Sequence, residues 1–249
     1  MSARVPGTPP RRLLLQDVLE HRSIFRAGAI AAAGVALSYL ASATFAVMMP
    51  PELQGRPDVG PHQFWTVLSA DPAAHLLFHW SWVVAGLCGL GAVPAICLLV
   101  WRASPGAVMW SGGAAFLGFA VLARSHLMEQ AWDRRVIAGY ANADPAYQQA
   151  VHVVAGLALD VPDGLLTYGA IGTWVAVVSV AALRTAALPR PLCWVGLATA
   201  GTYLAGVAGY GLQIRPLIVL SVGLGGFVLA PLWYGWLAMV LRRRAVTDS

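Results

Sequence analysis

Residues 73–101 read AAHLLFHWSWVVAGLCGLGAVPAICLLVW, an apolar run without a single Asp, Glu, Lys or Arg. A helix of about 20 apolar residues crosses the hydrocarbon core of a bilayer, and this run is long enough to do so. Because the bilayer interior offers no water to satisfy an open strand edge, a segment of this kind is a helix. The run therefore predicts a transmembrane helix, and the rest of the chain repeats its pattern.

Further apolar blocks flank this run on both sides of the 249-residue chain. The predicted membrane segments are 27–48, 73–101, 107–123, 153–183, 191–213 and 216–241. The third block is short, and we expect its helix to continue beyond the membrane. Only 11% of the residues are charged, whereas a soluble domain carries about 25%. The sequence thus predicts an all-α integral membrane protein, a six-transmembrane-helix bundle over 27–241, with a segment 1–26 before it and a tail 242–249 after it.

The distribution of arginine predicts the orientation. The net charge of +5 comes from arginine alone, because the chain contains no lysine. If the N-terminus is cytoplasmic, eleven arginines lie in inner segments and five in outer ones. Inner segments of membrane proteins are enriched in basic residues, so both termini are predicted to be cytoplasmic. The basic clusters adjoin apolar blocks, as at 242–244, which indicates topology and argues against nucleic-acid binding.

The composition also indicates a location. An all-arginine basic set with abundant Ala, Gly and Pro is typical of a GC-rich bacterial genome. We therefore expect a multi-pass protein of the bacterial cytoplasmic membrane, in contact with the lipid bilayer and able to pack against other membrane subunits.

Histidine is the most informative residue type, because five of the six histidines fall on the outer side of this topology. His75 and His79 are four residues apart and share one helix face. Neutral imidazole is a ligand for zinc and copper. The predicted metal site in the outer leaflet comprises His75, His79, His126, His152 and Asp160, with Glu129 as an alternative carboxylate.

Polar residues also form faces on two predicted helices. Asp160, Asp163 and Thr167 follow His152 at helical spacing, and Pro162 among them predicts a kink. On the third helix, Glu129 and Asp133 lie three and seven residues after His126, again on one face. Carboxylates at membrane depth are costly unless they face the bundle interior or water. The predicted polar stripe comprises Asp160, Asp163, Thr167 and Glu129. Its part on the fourth helix, His152 with Asp160 and Asp163, would serve a small-molecule carrier or sensor.

A short similarity raises a haem alternative. The tetrapeptide Ala-Asp-Pro-Ala occurs at 70–73 and at 143–146, with a histidine eight residues after each Asp. His79 and His152 would then lie at similar depth on parallel helices and could clamp a haem iron. A plainer interpretation stays open beside the metal site and the haem site. In it, the histidines lie at the membrane interface and the aspartates cap helices near water. The H-E-x-x-H motif of zinc proteases is absent from the sequence.

The C-terminal third resembles a broad set of uncharacterised multi-helix bacterial membrane proteins, of the domain-of-unknown-function type. The resemblance is carried by a Leu-Pro-Arg turn at 188–190, by Trp-Val-Gly-Leu at 194–197 and by Pro-Leu-Trp-Tyr-Gly-Trp-Leu at 231–237. It covers roughly 188–244. It implies a six-helix bundle and supplies no catalytic residues.

These observations lead to three functional hypotheses. The sequence contains no G-x-S-x-G nucleophile elbow and no dinucleotide-binding glycine motif after a strand. Helix faces rich in Gly and Ala favour close helix contacts, so the first hypothesis is a non-catalytic membrane subunit or packing partner of a larger complex. The second is a redox or hydrolytic protein with zinc, copper or haem at the outer histidines. The third is the carrier or sensor.

Overall fold

The computed structural model describes residues 11–54, 59–159 and 163–247, and these are helical with short connections. The helices are α1 (Arg11–Met48), α2 (Pro61–Ala70), α3 (Ala73–Val100), α4 (Pro105–Ile137), α5 (Pro145–Leu159), α6 (Asp163–Thr185), α7 (Arg190–Gly211), α8 (Arg215–Leu220) and α9 (Ala230–Thr247). A π-helical stretch, Ser221–Leu229, joins α8 to α9.

Six helical segments are long and apolar enough to cross a membrane. They are Arg22–Met48, Ala73–Ala103, Pro105–Asn142, Leu166–Thr185, Arg190–Gly211 and Arg215–Val246. The predicted all-α architecture with six spans is confirmed, and the chain is a polytopic helical membrane protein. The cytoplasmic placement of both termini stays a prediction.

The length of α4 sets the depth of its last turns. With 33 residues, α4 is about 50 Å long, while the hydrocarbon core is about 30 Å thick. A span that starts at Pro105 therefore leaves the hydrocarbon near residue 125. The helix itself continues to Ile137, beyond block 107–123. With a span that starts at Pro105, side chains from His126 onward would lie at the level of the membrane surface.

The segment predicted at 153–183 overlaps α5 and α6, with residues 160–162 between them outside the described residues. Among the described residues of this region, the stretch long and apolar enough to cross a membrane is Leu166–Thr185, and the predicted bounds stay a prediction. The α5 helix starts early because the Asp144 carboxylate accepts a hydrogen bond from the Tyr147 N–H, at 2.8 Å, and caps its first turn. The kink predicted at Pro162 lies outside the described residues.

The six spans close into a ring. The α1 helix packs against α3 and α9, α3 against α4, α4 against α6, and α6 against α7, which contacts the π-helical stretch and α9. Large aromatic side chains fill the centre, where the Tyr203 hydroxyl donates a hydrogen bond to the Tyr39 hydroxyl at 3.0 Å. The largest fully buried side chains of this central cluster, among the described residues, are Trp174, Trp233, Tyr39, Tyr203, Tyr234 and Phe119.

The contact between α3 and α4 is close because Gly86 faces Ala123. A Cβ atom on Gly86 would lie 2.8 Å from the Ala123 nitrogen and 2.8 Å from the Phe119 carbonyl oxygen. Small residues let two helix backbones approach in this way. The approach also brings the first two turns of α3 beside the last turns of α4.

Cysteine labelling in intact cells tests the predicted orientation. In a background in which the three native cysteines are replaced, we expect a membrane-impermeant maleimide to modify Gln149→Cys and to leave Arg242→Cys unmodified. The reason is that arginine-rich segments are retained on the cytoplasmic side, while residue 149 lies at the opposite end of the bundle. Permeabilised cells, in which both variants should react, provide the control. Labelling of Arg242→Cys alone in intact cells would reverse the topology.

Candidate metal centre

A cluster of ionisable side chains lies where α3 begins and α4 ends. His75 and His79 come from the first two turns of α3, and His126, Glu129 and Asp133 come from the last turns of α4. The spacing within each set places it on one helix face. Because six spans alternate in direction, this end of the bundle is opposite both termini.

Three of these residues form the first group, which we call the Glu129 triad: His79, His126 and Glu129. The His79 Nδ1 atom lies 2.8 Å from His126 Nδ1 and 2.7 Å from Glu129 Oε2. The third edge, between His126 Nδ1 and Glu129 Oε2, is 2.9 Å. The three atoms thus form a nearly equilateral triangle, and each is a possible metal ligand.

Hydrogen bonds can satisfy only two edges of this triangle. Both imidazole Nδ1–H groups can donate to the buried Glu129 Oε2, at 2.7 and 2.9 Å, and the two nitrogens then lie 2.8 Å apart with no hydrogen bond between them. When neither Nδ1 atom carries a hydrogen, three lone pairs converge and fit a cation, which can bind all of them together.

The second group, the Asp133 triad, consists of His75, His79 and Asp133. His75 Nε2 lies 3.1 Å from Asp133 Oδ2 and 3.1 Å from His79 Nε2. Ligand atoms of the three residues lie within 4.8 Å of one another, and all three residues are buried. His79 therefore belongs to both triads, with Nδ1 in one and Nε2 in the other.

Aromatic side chains hold the imidazole rings in place. The Phe64 ring of α2 contacts the edge of His75 at a centroid distance of 5.9 Å. Trp82 stacks on His126 at 5.8 Å with an angle of 17° between the planes. The Gln130 amide of α4 donates to the Leu76 carbonyl of α3 and ties the two helices together beside the cluster. These contacts limit the rotation of the ligand rings and the entry of water.

The two triads differ in access. The Glu129 side chain is 37% exposed, while those of His75 and His79 are 11% exposed. The cluster is therefore more exposed on the Glu129 side than on the His75 side.

The structure places His152 elsewhere. The Tyr140 hydroxyl lies 2.6 Å from His152 Nε2 and 3.1 Å from His62 Nδ1. This group is satisfied by ordinary hydrogen bonds, because the hydroxyl can donate to one imidazole and accept from the other. Among the described residues, neither triad includes His152. His79 is packed against His75 and His126, and the haem between His79 and His152 stays a prediction.

The remaining predicted residues have different outcomes. Asp160 lies outside the described residues, and Asp163 is the first residue of α6, with a side chain that is not described. Thr167 is buried and belongs to the part of α6 that faces Gly118 of α4, about two turns from His126. The predicted polar stripe and the carrier or sensor hypothesis stay predictions.

The structure adds Asp133 to the predicted ligands. Sequence reasoning placed it on the face of His126 and Glu129 but did not name it as a ligand. The spacing of seven residues from His126 was the available signal. Only the folded structure identifies Asp133 as a possible ligand, because α3 places His75 Nε2 3.1 Å from the Asp133 carboxylate.

No family model, curated protein or solved structure matches this chain. The resemblance of 188–244 to uncharacterised bacterial membrane proteins stays a prediction.

Proposed function

We propose that this protein is a membrane metalloprotein that binds a divalent transition metal ion in the Glu129 triad. The observation that carries the proposal is the triangle of His79 Nδ1, His126 Nδ1 and Glu129 Oε2, with edges of 2.7–2.9 Å. Three protein ligands on one side leave the opposite side of the ion for water or a substrate. That arrangement is typical of catalytic metal sites.

The ligand types of the triad favour one class of metal. Two imidazoles and one carboxylate are the ligand set of non-haem iron(II) proteins. We therefore propose iron(II) ahead of the zinc and copper that the sequence alone indicated.

The position of the centre supports redox or hydrolytic activity at the membrane surface. A span of about 20 residues from Pro105 would put His126 and Glu129 where α4 leaves the hydrocarbon, and Glu129 is the most exposed member of its triad. An ion held there by His79, His126 and Glu129 would supply Lewis-acid chemistry or, if it were iron, redox chemistry. The hypothesis of a non-catalytic packing partner stays a prediction.

The substitution Glu129→Gln tests the proposal. Gln keeps the shape of the side chain but lacks the negative charge, so we expect the affinity for iron(II) to fall by about 10–100-fold or more. The measurement is iron(II) titration of the purified, detergent-solubilised protein, with elemental analysis of the bound metal. Glu52→Gln is the matched control. It makes the same chemical change outside both triads, in the turn Pro51–Leu53 after α1.

Two results would contradict the proposal. One is wild-type protein that retains less than about one-tenth of an equivalent of any transition metal after incubation with iron(II), manganese(II), zinc(II) and copper(II) in turn. The other is a Glu129→Gln protein that binds metal as tightly as the Glu52→Gln control.

A further inference from the structure

We infer that the cluster binds a second divalent transition metal ion in the Asp133 triad, and that the His79 imidazole bridges the two ions. This inference rests on the proposed function, since the first ion occupies the Glu129 triad. The inference is based on the positions of the two His79 ring nitrogens, which belong to different triads. Nδ1 belongs to the Glu129 triad, while Nε2 lies 3.1 Å from His75 Nε2.

The two sites do not compete for a ligand atom. The nitrogens of an imidazole point away from each other, so two ions on one ring are held apart. The Glu129 triad contributes its own His126 and Glu129, and the Asp133 triad contributes its own His75 and Asp133. Each ion thus has two imidazole nitrogens and one carboxylate oxygen from the protein.

Hydrogen bonding leaves the Asp133 triad unsatisfied once the first ion is bound. With Nδ1 on the metal, a neutral His79 carries its hydrogen on Nε2 and donates it to His75 Nε2. That nitrogen then has no hydrogen for the Asp133 carboxylate, which lies only 3.1 Å away. If His75 Nε2 carries a hydrogen instead, it faces the N–H of His79. The single His75 Nε2 atom therefore cannot accept a hydrogen bond from His79 and donate one to Asp133 at the same time.

A second cation removes this conflict. The bond between His79 Nε2 and its hydrogen breaks, the proton leaves to water, and the freed electron pair binds the second ion. His75 Nε2 and Asp133 Oδ2 supply lone pairs to the same ion. Binding of metal in exchange for a ligand proton is the usual balance at protein metal sites.

Burial supports the same conclusion. His75 and Asp133 are 8% and 6% exposed. The other ring nitrogen of His75, Nδ1, is buried without a hydrogen-bond partner among the described residues. A carboxylate so buried is costly unless a cation or several hydrogen bonds compensate it. A divalent ion held by Asp133 supplies that compensation.

Metal stoichiometry tests the inference. Full-length protein in detergent is stripped with a chelator and titrated with copper(II), and bound metal is counted per chain. We expect two equivalents for the wild type and for Asp71→Asn, a control at an exposed aspartate. We expect one equivalent for Asp133→Asn and for His75→Gln. The second variant serves if the first does not fold.

Electron paramagnetic resonance tests the bridge. Two copper(II) ions joined by one imidazolate couple their spins, so we expect the second equivalent to reduce the signal per copper. Asp133→Asn should give the uncoupled signal of one ion. Two uncoupled ions in the wild type would overturn the bridge, and one equivalent in both the wild type and Asp133→Asn would overturn the second site while the proposed function stands. No bound metal in the wild type would overturn both.

Discussion

Replacement of His79 with alanine is expected to empty the whole cluster. The residue supplies Nδ1 to the Glu129 triad and Nε2 to the Asp133 triad, so its loss leaves each with two ligands. We expect the purified His79→Ala protein to hold less than about one-tenth of the wild-type metal content. Elemental analysis of protein purified without chelator measures this directly.

His152→Ala is the matched control for this experiment. It removes the same ring from the same end of the bundle, but from the Tyr140 group and not from a triad. The metal content of His152→Ala should equal that of the wild type. Equal metal content in His79→Ala and wild-type protein would contradict the centre, and a loss in His152→Ala alone would move it to Tyr140.

A methyl group at position 86 is expected to force α3 and α4 apart. In Gly86→Ala the new Cβ atom meets the Ala123 nitrogen and the Phe119 carbonyl oxygen at 2.8 Å, and backbone atoms of a packed helix cannot rotate away. Overpacking of this kind costs about 1–3 kcal/mol. Because α3 and α4 carry different ligands of each triad, we also expect weaker metal binding.

Thermal unfolding and metal titration of the solubilised protein measure the two effects. Gly113→Ala is the control, since Gly113 lies on α4 but is exposed. No described atom outside its own stretch of helix lies within 4 Å of a Cβ atom placed there. Alanine there should be neutral or stabilising by up to about 1 kcal/mol, because it favours the helix. Equal unfolding temperatures and metal affinities for the two variants would show that the helix contact does not position the ligands.

Much of the centre follows from helical periodicity. His75 and His79 are four residues apart, and His126 and Glu129 are three apart, so each pair had to share a face once the segments were recognised as helices. Periodicity does not say which face of one helix meets which face of another. The contact between the helix faces places Asp133 beside His75, while His152 contacts Tyr140.

The sequence by itself determined that the chain is a bundle of six membrane-crossing helices, because apolar runs of sufficient length have no other stable arrangement in lipid. It also determined which side chains share a helix face. Only the tertiary structure decided which faces meet, because helix contact depends on where small residues such as Gly86 and Ala123 let two backbones approach. The convergence of His75, His79, His126, Glu129 and Asp133 on two points is a product of that contact.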